Sequence, residues 1–298
     1  MNMEINNTKA ANRSGILKLA LVLALISAST PALAQSNNEV SFYLQGSFSE
    51  LGYEALGQKS KLENGFGLGA KYAYYFSENW SLGTGAEFQY MEGSIFVPAI
   101  QGAFMTQDAE ADAFEFRYQA DNFSENQKVY FLNIPLQIQY ESLGLTRFYA
   151  AAGVKVGLGL ASEYNTYATS LETSGYYPQY DVELTDPEFA GFGEFGAVNN
   201  AKSELDLKTN FVAHLESGVK FMLENRQSLY MGIFLDYGLN DIKPDTSGQR
   251  LVDYNAQNPT EFAFGSVLFS RNDMNSEPYV DEVRTLAIGL KVQYAFQF

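Results

Sequence analysis

The last fourteen residues separate by parity. Leu286, Ile288, Leu290, Val292, Tyr294, Phe296 and Phe298 take alternate positions; Thr285, Ala287, Gly289, Lys291, Gln293, Ala295 and Gln297 take those between. Successive side chains of an extended strand point to opposite faces. The segment therefore reads as a strand that is greasy on one side and small or polar on the other. It exceeds the ~9–11 residues with which a tilted strand crosses a bilayer.

The same alternation recurs upstream. Val40, Phe42 and Leu44 mark one face of a first strand. Phe66, Leu68, Ala70, Tyr72, Tyr74 and Phe76 mark a second, and Trp80, Leu82, Thr84, Ala86, Phe88 and Tyr90 a third. Tyr130 to Tyr140, Phe148 to Leu160, Phe211 to Phe221 and Leu229 to Leu239 bring the count to eight. The spacers alternate in length. Short ones cover residues 77–79, 141–146 and 222–227; long ones run over about 49–64, 93–127, 162–206 and 243–282. Short turns on one side and long loops on the other are the layout of a transmembrane barrel. Lipid offers no hydrogen bonds, so every spanning strand must be paired on both sides. The fold predicted is all-β: an eight-stranded antiparallel transmembrane up-and-down β-barrel, with both chain ends on the short-turn side.

Composition agrees. The chain has 23 Phe, 20 Tyr and 25 Gly against one Trp and no Cys. Strands that alternate lipid-facing and lumen-facing residues account for many aromatics in a chain with no long apolar run after residue 35. Tyr72, Tyr74, Phe76, Trp80, Phe88, Tyr90, Tyr130 and Tyr140 are placed to form girdles at the two interfaces. Pro135 is a local conflict, since proline removes a ladder hydrogen bond. It calls for a bulge or a position that tolerates the missing N–H.

Residues 1–34 read as a secretory signal peptide rather than as part of the fold. Lys9, Arg13 and Lys18 precede the apolar run Leu19 to Ile26, and Ala32-Leu33-Ala34 forms a small-residue cleavage site. Cleavage after Ala34 leaves residues 35–298 as the mature barrel. Losing those three bases together with Glu4 takes the formal net charge from −16 to −18. Such an acidic chain is not expected to bind nucleic acid, which needs clustered Lys and Arg. Without cysteine there are no disulfides and no cysteine metal site.

Three segments resemble a known group, the outer-membrane-protein β-barrel family that includes the PorT-like proteins. Leu132-Asn133-Ile134-Pro135-Leu136-Gln137-Ile138-Gln139-Tyr140 is similar to that family's "IPL" strand. Phe148-Tyr149-Ala150-Ala151-Ala152-Gly153-Val154-Lys155-Val156-Gly157 is similar to its glycine-rich strand, and Phe298 is an aromatic terminus of the kind such barrels carry. The resemblance covers residues 39 to 298. It implies the cell outer membrane as location and outer-membrane lipid as surroundings. It also implies that Tyr294, Phe296 and Phe298 form the signal read by the outer-membrane assembly machinery. PorT-like proteins are linked to secretion and gliding, and none of these motifs carries that role.

Parity places Lys71, Glu87, Lys155, His214, Glu216, Lys220, Asp236 and Lys291 on polar, inward faces. They line a conduit or fill a small barrel as a salt-bridged plug. An eight-strand barrel has room only for side chains, and buried charges are costly unless paired, so the plug is expected. Barrel enzymes of this kind generally use a histidine near the outer rim. His214, the one histidine, falls mid-strand, where a lumenal polar residue is the simpler reading than a catalytic base. No catalytic, cofactor or metal site is expected. Asp108, Glu110 and Asp112, like Asp181, Glu183, Asp186 and Glu188, lack calcium-loop spacing and read as solvated loop charge. Gly65-Phe66-Gly67-Leu68-Gly69 is a strand with lumenal glycines, not a dinucleotide turn. Tyr164, Tyr167, Tyr176, Tyr177, Tyr180, Phe189, Phe192 and Phe195 give the third long loop an aromatic surface for a protein or glycan partner, or a core for extended hairpins. The function expected is a non-enzymatic outer-membrane barrel, structural or adhesive, or an accessory subunit of a membrane complex. A narrow porin-like solute channel is the first alternative and a lipid-modifying enzyme the second; a soluble periplasmic β-sandwich is the rival fold.

Overall fold

The computed structural model describes residues 37–200, 202–243, 249–273 and 275–298. The leader and its cleavage site lie outside them. Eight long strands form one antiparallel ring: β1 (Asn38–Gly52), β2 (Lys61–Tyr75), β3 (Trp80–Gln107), β4 (Ala113–Glu141), β5 (Thr146–Ala168), β6 (Asn210–Met222), β7 (Gln227–Gly238) and β8 (Arg284–Gln297). Each pairs with its neighbours in sequence, and β8 closes on β1 from Glu39↔Gln297 to Gly52↔Arg284. At the seam the Phe298 N–H donates to the Asn38 carbonyl at 2.9 Å. Among the described residues no helix is long and apolar enough to cross a membrane.

The outward faces are those that parity assigns. Leu44, Leu68, Leu136, Leu215, Ile233 and Leu290 are exposed around the ring, although all are large and apolar. A water-soluble protein would bury such a belt. Aromatic clusters bound it. Trp80 and Tyr140 lie 5.2 Å apart near the short turns; the tilted rings of Phe66, Tyr90 and Tyr130 pack at 5.3 and 5.1 Å at the other border. Directly beyond, Glu92 pairs with Lys128 at 3.6 Å and Glu163 with Lys202 at 2.6 Å on the outer surface. The membrane-spanning zone ends there.

Across Pro135 the β3–β4 register is unchanged, Thr84↔Leu136 giving way to Glu87↔Asn133. Pro135 still faces Lys155 on β5, and the Thr84 hydroxyl donates to its carbonyl at 2.8 Å. The proline is therefore accommodated without a bulge. The β4–β5 register instead shifts at Tyr130/Phe131, where β5 carries one extra residue.

Three of the four segments read as long loops need correction. Residues 93–107 and 113–127 continue β3 and β4 far above the membrane, leaving only 108–112 as a connection. Residues 49–52 and 61–64 likewise extend β1 and β2, and 162–168 extend β5. Period two is hidden there because its phase slips. Val97 points in, Pro98 and Ala99 both lie exposed, and Ile100 points in; opposite them Asn122 adopts φ 50°. Above that kink β3 and β4 join the strand Ser170–Tyr177 and the short strands Val182–Leu184 and Gly193–Glu194 in a sheet we term the crown.

Candidate functional site

The inward faces of the spanning strands meet in a charged core. At the short-turn end the Lys220 ammonium donates to Glu39 (2.9 Å), to both oxygens of Glu141 (3.0 Å) and to the Tyr75 hydroxyl (3.0 Å). It lies 4.7 Å from the Tyr230 ring centre. Tyr230 donates to Glu39 at 2.6 Å, Tyr75 donates to Glu141 at 2.5 Å, and Arg147 reaches Glu141 at 3.3 Å. Each acceptor oxygen thus has a donor, the condition under which buried charges persist.

One layer up, a chain of ion pairs crosses the barrel. Lys291 donates to Glu216 at 2.7 Å. The His214 ring lies between Glu216 (Nε2, 3.3 Å) and Asp236 (Nδ1, 2.6 Å). Lys155 bridges Asp236 (2.8 Å) and Glu87 (2.9 and 3.0 Å). Tyr43 and Asn133 complete Glu87, and Tyr149 donates to Glu216 at 2.8 Å. Lys71 is the exception. Its ammonium donates to Gln139 Oε1 at 2.8 Å, with no carboxylate at contact distance among the described residues. Lys71 and Glu87 lie near mirror positions about the 77–79 turn, yet they do not pair: Lys71 faces Gly85, and Glu87 faces Gly69.

Two glycines show how the rings fit. A Cβ on Gly69 would lie 2.5 Å from the Tyr43 ring, and one on Gly67 would lie 2.7 Å from the Gln45 amide. These positions are empty so that a neighbour's side chain can cross the lumen.

All eight inward residues named from parity line the lumen and are almost fully buried. Glu39, Glu141, Tyr43, Tyr75, Tyr149 and Tyr230 join them and were not named. Tyr75 and Tyr149 carried a usable signal, since both fall on the polar parity of their strands. Glu141 read as the start of a turn, but β4 runs through it. A histidine held between two carboxylates is a familiar basis for general-base chemistry, but His214 is only 1% exposed and its described partners are carboxylates, with no hydroxyl or thiol nucleophile among them.

Above this polar layer the interior changes character. Phe234, with the Lys155 ammonium 5.9 Å from its ring, joins the charged layer to an apolar core. Leu51, Met91, Ile95, Val129 and Phe131 line its walls; Phe114 and Phe116 belong to the crown. Its filling comes from the fourth outer segment, between β7 and β8, where Ile242, Leu251, Val252, Val267, Leu268, Val280 and Val283 are at most 1% exposed. That segment is tied to the walls by polar contacts. The Tyr164 hydroxyl donates to the Phe264 carbonyl (3.1 Å), Tyr118 to Asp273 (3.0 Å) and Tyr254 to the Ala190 carbonyl (3.1 Å). Glu125 on β4 accepts from Ser266 Oγ (2.5 Å), the Val267 N–H (2.8 Å) and Gln127 (2.7 Å). Burial pushes its carboxyl up to about 7.

The aromatics of the third outer segment divide. Tyr164 and Phe192 are buried and Tyr177 and Phe195 pack against the core, whereas Tyr167, Tyr180 and Phe189 remain exposed, Phe189 by 83%. Asp108 folds its own hairpin tip, accepting from the N–H groups of Glu110 and Asp112 and from the Tyr177 hydroxyl. Among the described residues no group of acidic or histidine side chains is arranged to hold a metal ion. On the outer face of the crown, a groove of about 770 Å³ is lined by Gln101, Arg117, Gln119, Glu172 and Glu194, with Asp186 at its rim.

Tyr294, Phe296 and Phe298 lie on the lipid face at the seam. Tyr294 donates to Gln227 at 2.6 Å and packs on Phe296 at 5.1 Å.

No protein with curated function matches the chain. Solved structures similar to it are outer-membrane barrels. Neisserial surface protein A is 9% identical, with 87% of this chain and 96% of that one covered and a TM-score of 0.34. Ail, the attachment invasion locus protein of Yersinia pestis, solved with the heparin analogue sucrose octasulfate, is 11% identical, with 87% and 99% covered and a TM-score of 0.31. OprG from Pseudomonas aeruginosa is 9% identical, with 89% and 98% covered and a TM-score of 0.35. The outer membrane protein beta-barrel domain matches residues 20–296, nearly the whole chain. The closed ring of eight antiparallel strands and this match lead to one assignment: the chain belongs to the outer membrane protein beta-barrel domain family.

Proposed function

We propose that the protein is a non-enzymatic, sealed barrel of the outer membrane whose role is to present the crown outside the cell, as an adhesive or structural surface or as an accessory subunit of a membrane complex. The observation that carries this reading is the inward fold of the segment between β7 and β8. Its apolar side chains fill the mouth above a lumen already occupied by paired charges. A barrel built to conduct would leave a polar, hydrated path instead. Material that a porin places around an opening is used here to brace a protruding sheet.

The reading has further parts. Export removes residues 1–34 by cleavage after Ala34, so the mature chain begins at Gln35. The lipid-facing Tyr294, Phe296 and Phe298 engage the assembly machinery. The exposed Tyr167, Tyr180 and Phe189 and the crown groove meet a protein or glycan partner, since exposed aromatics favour such contacts.

Planar-bilayer recording of the refolded chain tests the sealed barrel. The expected result is no steady open current, and a stable, reproducible conductance would overturn it in favour of a channel. His214→Ala is expected to leave outer-membrane lipid composition unchanged; a lost lipid modification would establish an enzyme. Mass spectrometry of the mature amino terminus checks the cleavage site.

A further inference from the structure

The crown sheet has two lateral edges, and they are finished differently. On one side the outermost strand, Val182–Leu184, is three residues long. Its Glu183 is paired with Arg117 at 3.0 Å, and Asp181 and Asp186 flank it. Short length and charge are the usual means of keeping a sheet edge from pairing with another chain. The other side is β3. Its neighbour β2 leaves it at Lys61↔Ser94, and from Ile95 to Gln107 it is paired, among the described residues, only with β4. These thirteen residues contain no charged side chain. Pro98, the one residue there unable to donate, sits at the kink at the base.

The backbone groups that face this open side can be identified. The Asp108 N–H donates to the Asp112 carbonyl at 3.0 Å. The β3–β4 register then runs without a break from Gln107↔Ala113 down to Ala99↔Asp121. N–H and C=O pairs alternate between the two sides of an antiparallel strand. Gln107, Met105, Ala103, Gln101 and Ala99 therefore turn their backbone groups away from β4. These are the residues whose side chains lie on the outer face, while Phe104 and Ile100 point into the core. Five consecutive donor–acceptor pairs over about 30 Å form an uncharged template.

Charge at the tip gives the template a direction. β3 runs from the membrane to the tip. At its base Lys61 holds its ammonium 5.7 Å from the Phe96 ring. At its tip the connection carries Asp108, Glu110 and Asp112. A strand laid antiparallel to β3 has its amino end at the acidic tip, while at the base Lys61 stands beside Glu63 and Glu92.

We infer that Ala99–Gln107 is a binding edge for an extended segment of another polypeptide, uncharged along its body and basic at its amino end, which adds to the crown as an antiparallel strand. The inference rests on the reading of the crown as an outward contact surface and names its partner class. Strand addition draws affinity from main-chain hydrogen bonds, so it requires an unpaired edge and little side-chain specificity.

The test uses the full mature chain in nanodiscs and a dye-labelled synthetic peptide of alternating Thr and Val with Lys at its amino end, followed by fluorescence anisotropy. Saturable binding is expected. Ala103→Pro removes an edge N–H without touching the β4 ladder and should weaken binding about tenfold or more, while Ala103→Val should bind like the wild type. Met105→Pro, at the same parity, serves if Ala103→Pro fails the heat-modifiable gel shift of a folded barrel. A peptide with Glu in place of the Lys should bind more weakly. Equal binding by the folded proline variant, or none by the folded wild type, overturns the edge inference; conductance tests the sealed-barrel reading separately.

Discussion

The lower barrel interior is filled by Glu39, Glu87, Glu141, Glu216 and Asp236, facing Lys71, Lys155, Lys220, Lys291 and His214; the upper interior is filled mainly by Leu, Val, Ile, Phe and Tyr. The two layers share one wall of strands and obey different rules. The lower layer is contributed by the strands alone, and its groups are held at fixed heights by the ladder. Its stability depends on completeness, because a buried ion deprived of its partner keeps its desolvation cost. The upper layer is contributed largely by a segment folded in from outside, and its contacts are graded, each methyl adding a little. A fault in the lower layer should damage the whole barrel, and a fault in the upper layer should loosen the mouth.

The sharpest way to break that contrast is Lys220→Met. It leaves Glu39 and Glu141 facing each other without the ammonium, and about 3–5 kcal/mol of stability should be lost. Urea unfolding in lipid vesicles, followed through the single Trp80, reads this out; a loss below 1 kcal/mol would mean that the charges are hydrated. Leu268→Ala in the upper layer should cost roughly 2–4 kcal/mol. That cost should show as faster proteolysis of the crown and outer segments, with the heat-modifiable shift of the barrel kept. If both variants fail in the same assay to the same extent, the two layers are one cooperative unit.

A third measurement concerns the joint. Glu125 has a carboxyl raised by burial to about 7, against about 4.3 in an unfolded chain. The folded state holds the proton more tightly, so docking of the segment at Ser266 and Val267 is strongest at acid pH. It weakens as pH rises from about 4.3 through about 7, by up to about 4 kcal/mol in total. Hydrogen exchange at the Val267 amide should accelerate between pH 5 and pH 8, beyond the intrinsic chemical rate. Glu125→Gln should remove that excess, and an unchanged excess would assign the pH dependence to another group. The smallest effect is expected outside both layers. Lys202→Ala breaks a solvent-exposed pair with Glu163 and should change stability by no more than about 0.5 kcal/mol in the same urea assay.

The same division governs what could be read from the chain before its structure. Lower-layer residues announce themselves, because a strand with one face in lipid must carry every polar group on the other parity. Lys71, Glu87 and Lys291 follow from counting in twos. Partners do not follow, because they depend on the shear of the ring: Lys71 and Glu87 look like mates about the 77–79 turn, yet each finds its partner on another strand. The upper layer leaves no periodic trace. Val267, Leu268 and Val283 come from a segment that docks on strands distant in the sequence, and β3 and β4 above the membrane lose their rhythm at Pro98 and Asn122. The tyrosines Tyr75 and Tyr149 lie between these cases. Their parity is polar and their bulk apolar, and only the hydroxyl, aimed at Glu141 or Glu216, shows which property matters.

The Lys220 cluster also constrains how the protein comes into being. Lys220 meets Glu39 across 181 residues of chain, and Tyr230 meets it across 191. Glu39 lies on the first strand, which comes within reach of β6 and β7 across the lumen only when the ring closes. Until the final strand arrives, the charges of the first have no mates, and a half-built sheet entering lipid would carry them bare. Loop closure over such distances is slow. Insertion and closure are therefore expected to be a single late event, with the outer segment settling into the mouth afterwards.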